Sequence, residues 1–114
     1  MESCLFCRIR DGLDATKPFF QSEGILAIDP LEMAARIHIV LFTERHIESA
    51  DSLAAGDIPG IWGHLLICAR QLARDRNIGI DTEGYALVTN AGRHSTRQYP
   101  HLHVHLLSGA APGI

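Results

Sequence analysis

Near the carboxyl end, His101-Leu102-His103-Val104-His105-Leu106-Leu107 alternates imidazole with aliphatic side chains without a slip. That is the period of a β-strand with two unlike faces. Leu102, Val104 and Leu106 point into a core, and His101, His103 and His105 share the other face at steps of roughly 6.6 Å. Imidazole nitrogens need partners and change charge close to neutral pH, so three in a row serve chemistry better than packing. One such chemistry is metal binding, in which carboxylates or distant histidines join a His-x-His pair. No Asp or Glu lies between Gly84 and the end, so a metal cluster would need ligands from far upstream. The other is covalent catalysis. Neutral imidazole attacks phosphorus and forms a phosphorylated or nucleotidylated intermediate, while flanking imidazoles orient it and donate hydrogen bonds to phosphate oxygens. The lack of nearby carboxylates, which would repel such a substrate, favours the second chemistry.

Other chemistry-bearing residues are scattered upstream. Cys4 and Cys7 form a Cys-x-x-Cys pair that fits half a zinc site, a redox couple or two ordinary cysteines. A redox pair normally follows a strand, and this one does not. His38 lies inside an apolar run, where a single histidine is more often a satisfied core or edge residue than a catalyst. Cys68 reads as a small core hydrophobe and His64 as a helix-face residue. Between Asn90 and the histidine row, the polar stretch from Ala91 to Pro100 carries Arg93, His94, Arg97 and Gln98. Donors and cations tethered beside imidazoles point to an anionic substrate, phosphate being the commonest such group.

These residues need a frame. The expected fold is α+β: an antiparallel sheet of about five strands with one long helix and a short N-terminal helix, in a single domain over 1–114. A short helix covers Leu5 to Arg10. Strands fall at 18–21 and 24–29 around a Ser22-Glu23-Gly24 turn, at 36–43, at 84–90 and at the histidine row. A short helix is expected over 49–55. The long helix starts at an Asp57 cap with Pro59 in its first turn and stops near Asn77 and Gly79. Ile61, Leu65, Cys68, Leu72 and Ala73 form its apolar stripe, and Arg70, Arg74 and Arg76 gather at the end that favours cations. Ser108 to Ile114 reads as an irregular tail.

Composition excludes several classes. The net charge of -3 gives no basic field for duplex nucleic acid. No apolar run is long enough for a signal peptide or a membrane span, so no membrane partner is expected. Three cysteines, an odd number, argue against a secreted disulfide framework and for a reducing cytoplasm.

Taken together, the chain resembles the histidine-triad (HIT) family, whose signature is His-φ-His-φ-His-φ-φ with φ apolar. His101 to Leu107 matches it in full. Cys4-Leu5-Phe6-Cys7, Ile28-Asp29, the strand around His38 ending at His46, the long helix and Asn90 extend the likeness over most of the chain. Among its branches the chain looks most like the histidine-triad nucleotide-binding proteins, homodimeric nucleoside phosphoramidate hydrolases.

The resemblance implies a HIT-like fold and assigns roles by position. His103 is the nucleophile toward the α-phosphorus of a nucleoside 5′-monophosphate derivative. His105 holds a phosphate oxygen, His101 and His38 orient the row, and Asn90 sits near phosphate and leaving group. Leu5, Phe6, Ile9 and Ile28 line a purine pocket, and Asp29 holds the ribose hydroxyls. No cofactor is implied for catalysis. A structural zinc is implied on Cys4, Cys7, His46 and His101, as is a homodimer. The loop before the row departs from the pattern, with Thr96-Arg97-Gln98-Tyr99 and no glycine after Gly92; there Gln98 takes the phosphate contact. The tail also lacks the tryptophan-bearing end of some relatives.

Overall fold

The structure, a computed structural model, describes residues 4–91 and 100–109. Its element order is α1 (Leu5–Arg10), β1 (Phe20–Ser22), β2 (Ile25–Ile28), β3 (Ile37–Thr43), α2 (Ile58–Asp75), β4 (Ala86–Val88) and β5 (His103–Ser108). The strands form one antiparallel sheet in the order β1-β2-β3-β5-β4. This is the expected α+β architecture. Glu23 and Gly24, at φ 43° and 88°, make the tight turn between β1 and β2, the two-residue hairpin geometry that matches strand twist.

Register decides which residues share a face. Phe42 pairs with His103 and Val40 with His105, while Ile28 pairs with Val40 and Leu26 with Phe42. Leu26, Ile28, His38, Val40, Phe42, His103 and His105 therefore stand on one face, where α1 covers part of the sheet with Phe6, Cys7 and Ile9. Ile25, Ala27, Ile39, Leu41, Val104 and Leu106 point the other way and pack on Leu65, Cys68, Ala69, Leu72 and Ala73 of α2. The stripe read from helical spacing is the buried one, with Ile61 at its margin.

Local differences from expectation have physical causes. The short helix expected over 49–55 is a single 3-10 helix, Ala50–Ser52, and a second one, Ala55–Asp57, follows it into α2. Asp57 sits at the N-cap of α2 without a side-chain capping bond; its carboxylate pairs with Arg45 at 3.6 Å instead. Ser108 belongs to β5, held by its hydroxyl donating to the Gly84 carbonyl at 2.7 Å. The α2 end follows the glycine-like route through Asn77 at φ 63°. Ile78 N–H returns to the Ala73 carbonyl at 2.9 Å and Asn77 N–H to that of Arg74 at 3.0 Å.

Candidate active site

The three histidines do not form one uniform row. β5 begins at His103, and His101 lies before it in a segment tied to the chain after β3. Leu102 N–H donates to the Ile47 carbonyl at 2.5 Å, and Thr43 N–H donates to that of Leu102 at 3.4 Å. This turns His101 into the interior, where it is 1% exposed. His103 and His105 remain half-buried on the open part of the face. The expectation of three side-by-side strand imidazoles is corrected to two, with the first redirected.

Their partners fix where each proton sits. Ala34 N–H donates to His38 Nδ1 at 3.0 Å, so the His38 proton is on Nε2. That Nε2–H donates to His105 Nδ1 at 2.9 Å, which leaves the His105 proton on its own Nε2. His103 does the reverse. Its Nδ1–H donates to the His101 carbonyl at 2.7 Å, leaving a lone pair on Nε2. Neither outer Nε2 atom has a hydrogen-bond partner among the described residues. One side chain thus offers an electron pair and its neighbour, ring centroids 5.1 Å away, offers a proton. Burial pushes His103 and His38 below the usual histidine range. Burial, reinforced by His103 and His38 nearby, brings His105 to about 4. All three are neutral near pH 7, the state in which imidazole is a nucleophile and hydrogen-bond donor.

A cleft of about 620 Å³ opens over this pair. His38, His103 and His105 line it together with Leu5, Phe6 and Ile9 of α1 and with Ile28 and Asp29 at the end of β2. Every expected pocket residue among those described is therefore at one site. The Phe6 ring lies 4.8 Å from that of His103. Asn90 is half-buried two residues beyond Val88, the partner of His105, and does not line the cleft. Beside it Thr89 Oγ1 donates to the His103 carbonyl at 2.8 Å, fastening the start of β5. Gln98 and the rest of the loop 92–99 lie outside the described residues.

The redirected His101 meets the cysteines. Its Nε2–H donates to the Thr43 carbonyl at 2.6 Å, so Nδ1 carries a lone pair. That Nδ1 lies 3.3 Å from Cys4 Sγ and 3.6 Å from Cys7 Sγ, and His46 Nδ1 lies 3.2 Å from Cys7 Sγ. The four donor atoms fall within 4.8 Å of one another. A tetrahedral zinc with bonds of about 2.3 Å to sulfur and 2.0–2.1 Å to nitrogen has S···N edges of about 3.5 Å. The spacing fits. So does the Thr43 carbonyl that accepts on the far side of His101, the backbone partner that metal-binding histidines ordinarily have. Burial pushes the Cys7 thiol up and His101 down to about 4, so these two stay neutral unless a cation compensates.

The sequence contains the signature, and matches to known proteins decide what it marks. A family model described as scavenger mRNA decapping enzyme C-terminal binding matches residues 3–113. A protein of Buchnera aphidicola named an uncharacterized HIT-like protein is 30% identical over 92% of this chain and 91% of its own length. The chain belongs to the histidine-triad (HIT) family. A second HIT-like protein, from Chlamydia trachomatis, is also 30% identical, over 96% of this chain and 95% of its own. The HIT family hydrolase from Clostridium thermocellum superposes with a TM-score of 0.86 at 28% identity, covering 98% of this chain and 96% of its own. That from Legionella pneumophila gives 0.84 at 28%, covering 96% and 95%.

Residues that spacing alone did not single out also hold this HIT site. Ala34 and Thr43 contribute a backbone N–H and a carbonyl, which no side-chain pattern signals. Arg76 donates from Nη2 to Asp29 Oδ1 at 3.1 Å; its place in a cluster of arginines at the end of α2 hides that task.

Proposed function

We propose that this protein is a hydrolase of purine nucleoside 5′-monophosphate derivatives, cutting a 5′-phosphoramidate P–N bond or an adenylyl ester bond through a nucleotidyl-histidine intermediate. The opposed tautomers of His103 and His105 at the floor of one cleft carry this reading. The structural relatives from Clostridium thermocellum and Legionella pneumophila are themselves named hydrolases.

In the proposed reaction His103 Nε2 attacks the α-phosphorus. The bond from phosphorus to the leaving nitrogen breaks, and that nitrogen takes a proton from water and departs as the amine. His105 Nε2–H donates to a non-bridging oxygen, its proton held outward by the His38 contact behind it. Water then adds to phosphorus, the bond to His103 breaks, and the nucleoside monophosphate leaves with the water oxygen. The base lies against Leu5, Phe6, Ile9 and Ile28, and Asp29 accepts from the ribose hydroxyls. Gln98 serves the phosphate.

Cys4, Cys7, His46 and His101 are the residues that would hold a structural zinc. Bound there, the ion supplies a cross-link among α1, the segment after β3 and the segment before β5. The open edge of β4 and the exposed Leu66 and Ile67 of α2 offer surface for a second copy, in keeping with a homodimer. No helix of the described residues is long and apolar enough to cross a membrane, and the cytoplasm is the proposed compartment.

Incubation with adenosine 5′-phosphoramidate followed by trapping of acid-labile adducts tests the chemistry. AMP on His103 is the expected product. A His103→Ala variant that hydrolyses as fast as the parent overturns the covalent route, and tight AMP binding without turnover marks a binding module instead.

A further inference from the structure

Asp29 follows the end of β2, and its side chain is 58% exposed at the mouth of the cleft. A carboxylate so placed turns freely unless something holds it, and ordering it on ligand binding costs affinity. Arg76 is what touches it. The guanidinium Nη2 donates to Oδ1 at 3.1 Å, and Oδ2 has no partner among the described residues. The guanidinium carbon also lies 5.1 Å from the centroid of the Phe19 ring. Phe19 is fixed in turn by its N–H donating to the Ala27 carbonyl at 3.0 Å, two residues before Asp29.

The arginine cannot swing away at its root. Arg76 is the C-cap of α2, with its N–H on the Leu72 carbonyl at 3.0 Å. The next two residues return to the helix end through the left-handed Asn77 and the buried Ile78. A half-exposed ion pair of this kind adds little to stability. Its geometry has another use: one carboxylate oxygen is occupied and the other is presented.

We infer that Arg76, stacked on Phe19, is a positioning residue that holds the Asp29 carboxylate so that its second oxygen meets the hydroxyls of a ribose. This rests on the nucleotide reading above. The ligand selected is a ribonucleotide with free 2′ and 3′ hydroxyls, which donate to that oxygen. A sugar lacking them gains nothing from the pin.

The test is calorimetric binding of AMP and of 2′,3′-dideoxy-AMP to the full chain and to Arg76→Met, Arg76→Lys and Asp29→Asn. Removing a cation weakens both nucleotides alike, so the ratio of their Kd values isolates the sugar contact. The parent is expected to prefer AMP about tenfold. Arg76→Met should bring that preference to about threefold or less and Asp29→Asn should erase it, while Arg76→Lys keeps part of it. With a phosphoramidate substrate, Arg76→Met should raise KM and leave kcat near the parent's. If the parent binds neither nucleotide, the nucleotide reading falls and this inference with it. If the parent prefers AMP and Arg76→Met keeps the parent's ratio, only the role of Arg76 is overturned; a lowered melting temperature with that unchanged ratio would mark it as structural.

Discussion

Two imidazoles separated by a single leucine live in different worlds. His101 is sealed against Cys4, Cys7 and His46, with its free nitrogen facing sulfur. His103 stands on a strand at the floor of a cleft, with its free nitrogen facing space. The sequence repeats one residue type, but the strand boundary between them makes the first a candidate ligand and the second a candidate nucleophile. They meet at one atom. The His101 carbonyl that accepts the His103 Nδ1 proton belongs to the residue the cluster immobilises. Whatever stiffens the cluster therefore also fixes the tautomer next door.

The contrast can be broken on the cleft side first. His103→Ala should lower single-turnover hydrolysis of adenosine 5′-phosphoramidate by about 10⁴-fold or more, with metal content and melting temperature close to the parent's. An equal loss from a cluster variant would erase the distinction. On the other side, Cys7→Ser should abolish zinc uptake measured by mass spectrometry of the native protein. It should also lower stability by about 3 kcal/mol, roughly 10–15 °C in Tm. Its activity should fall less than that of His103→Ala, because the nucleophile survives.

A smaller effect is expected one step behind the floor. His38→Phe removes the donor to His105 Nδ1, freeing the His105 proton to occupy either nitrogen. A drop of about 10–100-fold in kcat, with zinc content unchanged, is the expected result. The smallest effect is a pH slope. His38 and His105 are held neutral in the fold, His105 with a pKa of about 4. An unfolded histidine takes a proton near pH 6.5, so the unfolded chain binds more protons below that value. The contribution to stability is complete above about pH 6.5 and is lost as the pH falls toward about 4. Urea midpoints between these limits should decline for the parent and decline less steeply for His38→Phe.

Much of this division is not written in side-chain spacing. Alternation placed His103 and His105 on the face opposite Val104 and Leu106, because the period of a strand leaves no other arrangement. The stripe from Leu65 to Ala73 placed α2 for the same kind of reason. Alternation also predicted His101 as a strand residue. It failed there because the Leu102 N–H bonds outside the β3–β5 ladder, to Ile47, a long-range pairing with no local mark. The partners that set the tautomers are backbone groups of Ala34, His101 and Thr43, invisible to any residue pattern. Arg76 reads from sequence as a charge suited to a helix end, and only the tertiary approach of β2 gives it Asp29. Asp57 reads as a capping side chain, and Arg45 draws it elsewhere.

Phe6 binds the two neighbourhoods more tightly than their chemistry requires. Its ring lies 4.8 Å from His103, 5.5 Å from His101 and 4.8 Å from Phe42. One aromatic plate is thus wall to both rooms, and it sits in the short helix between the two cysteines. A lineage that trimmed this ring to admit a bulkier nucleobase would loosen the sulfur-rich corner in the same stroke. Change in ligand taste and change in scaffold rigidity are inherited here as a single trait.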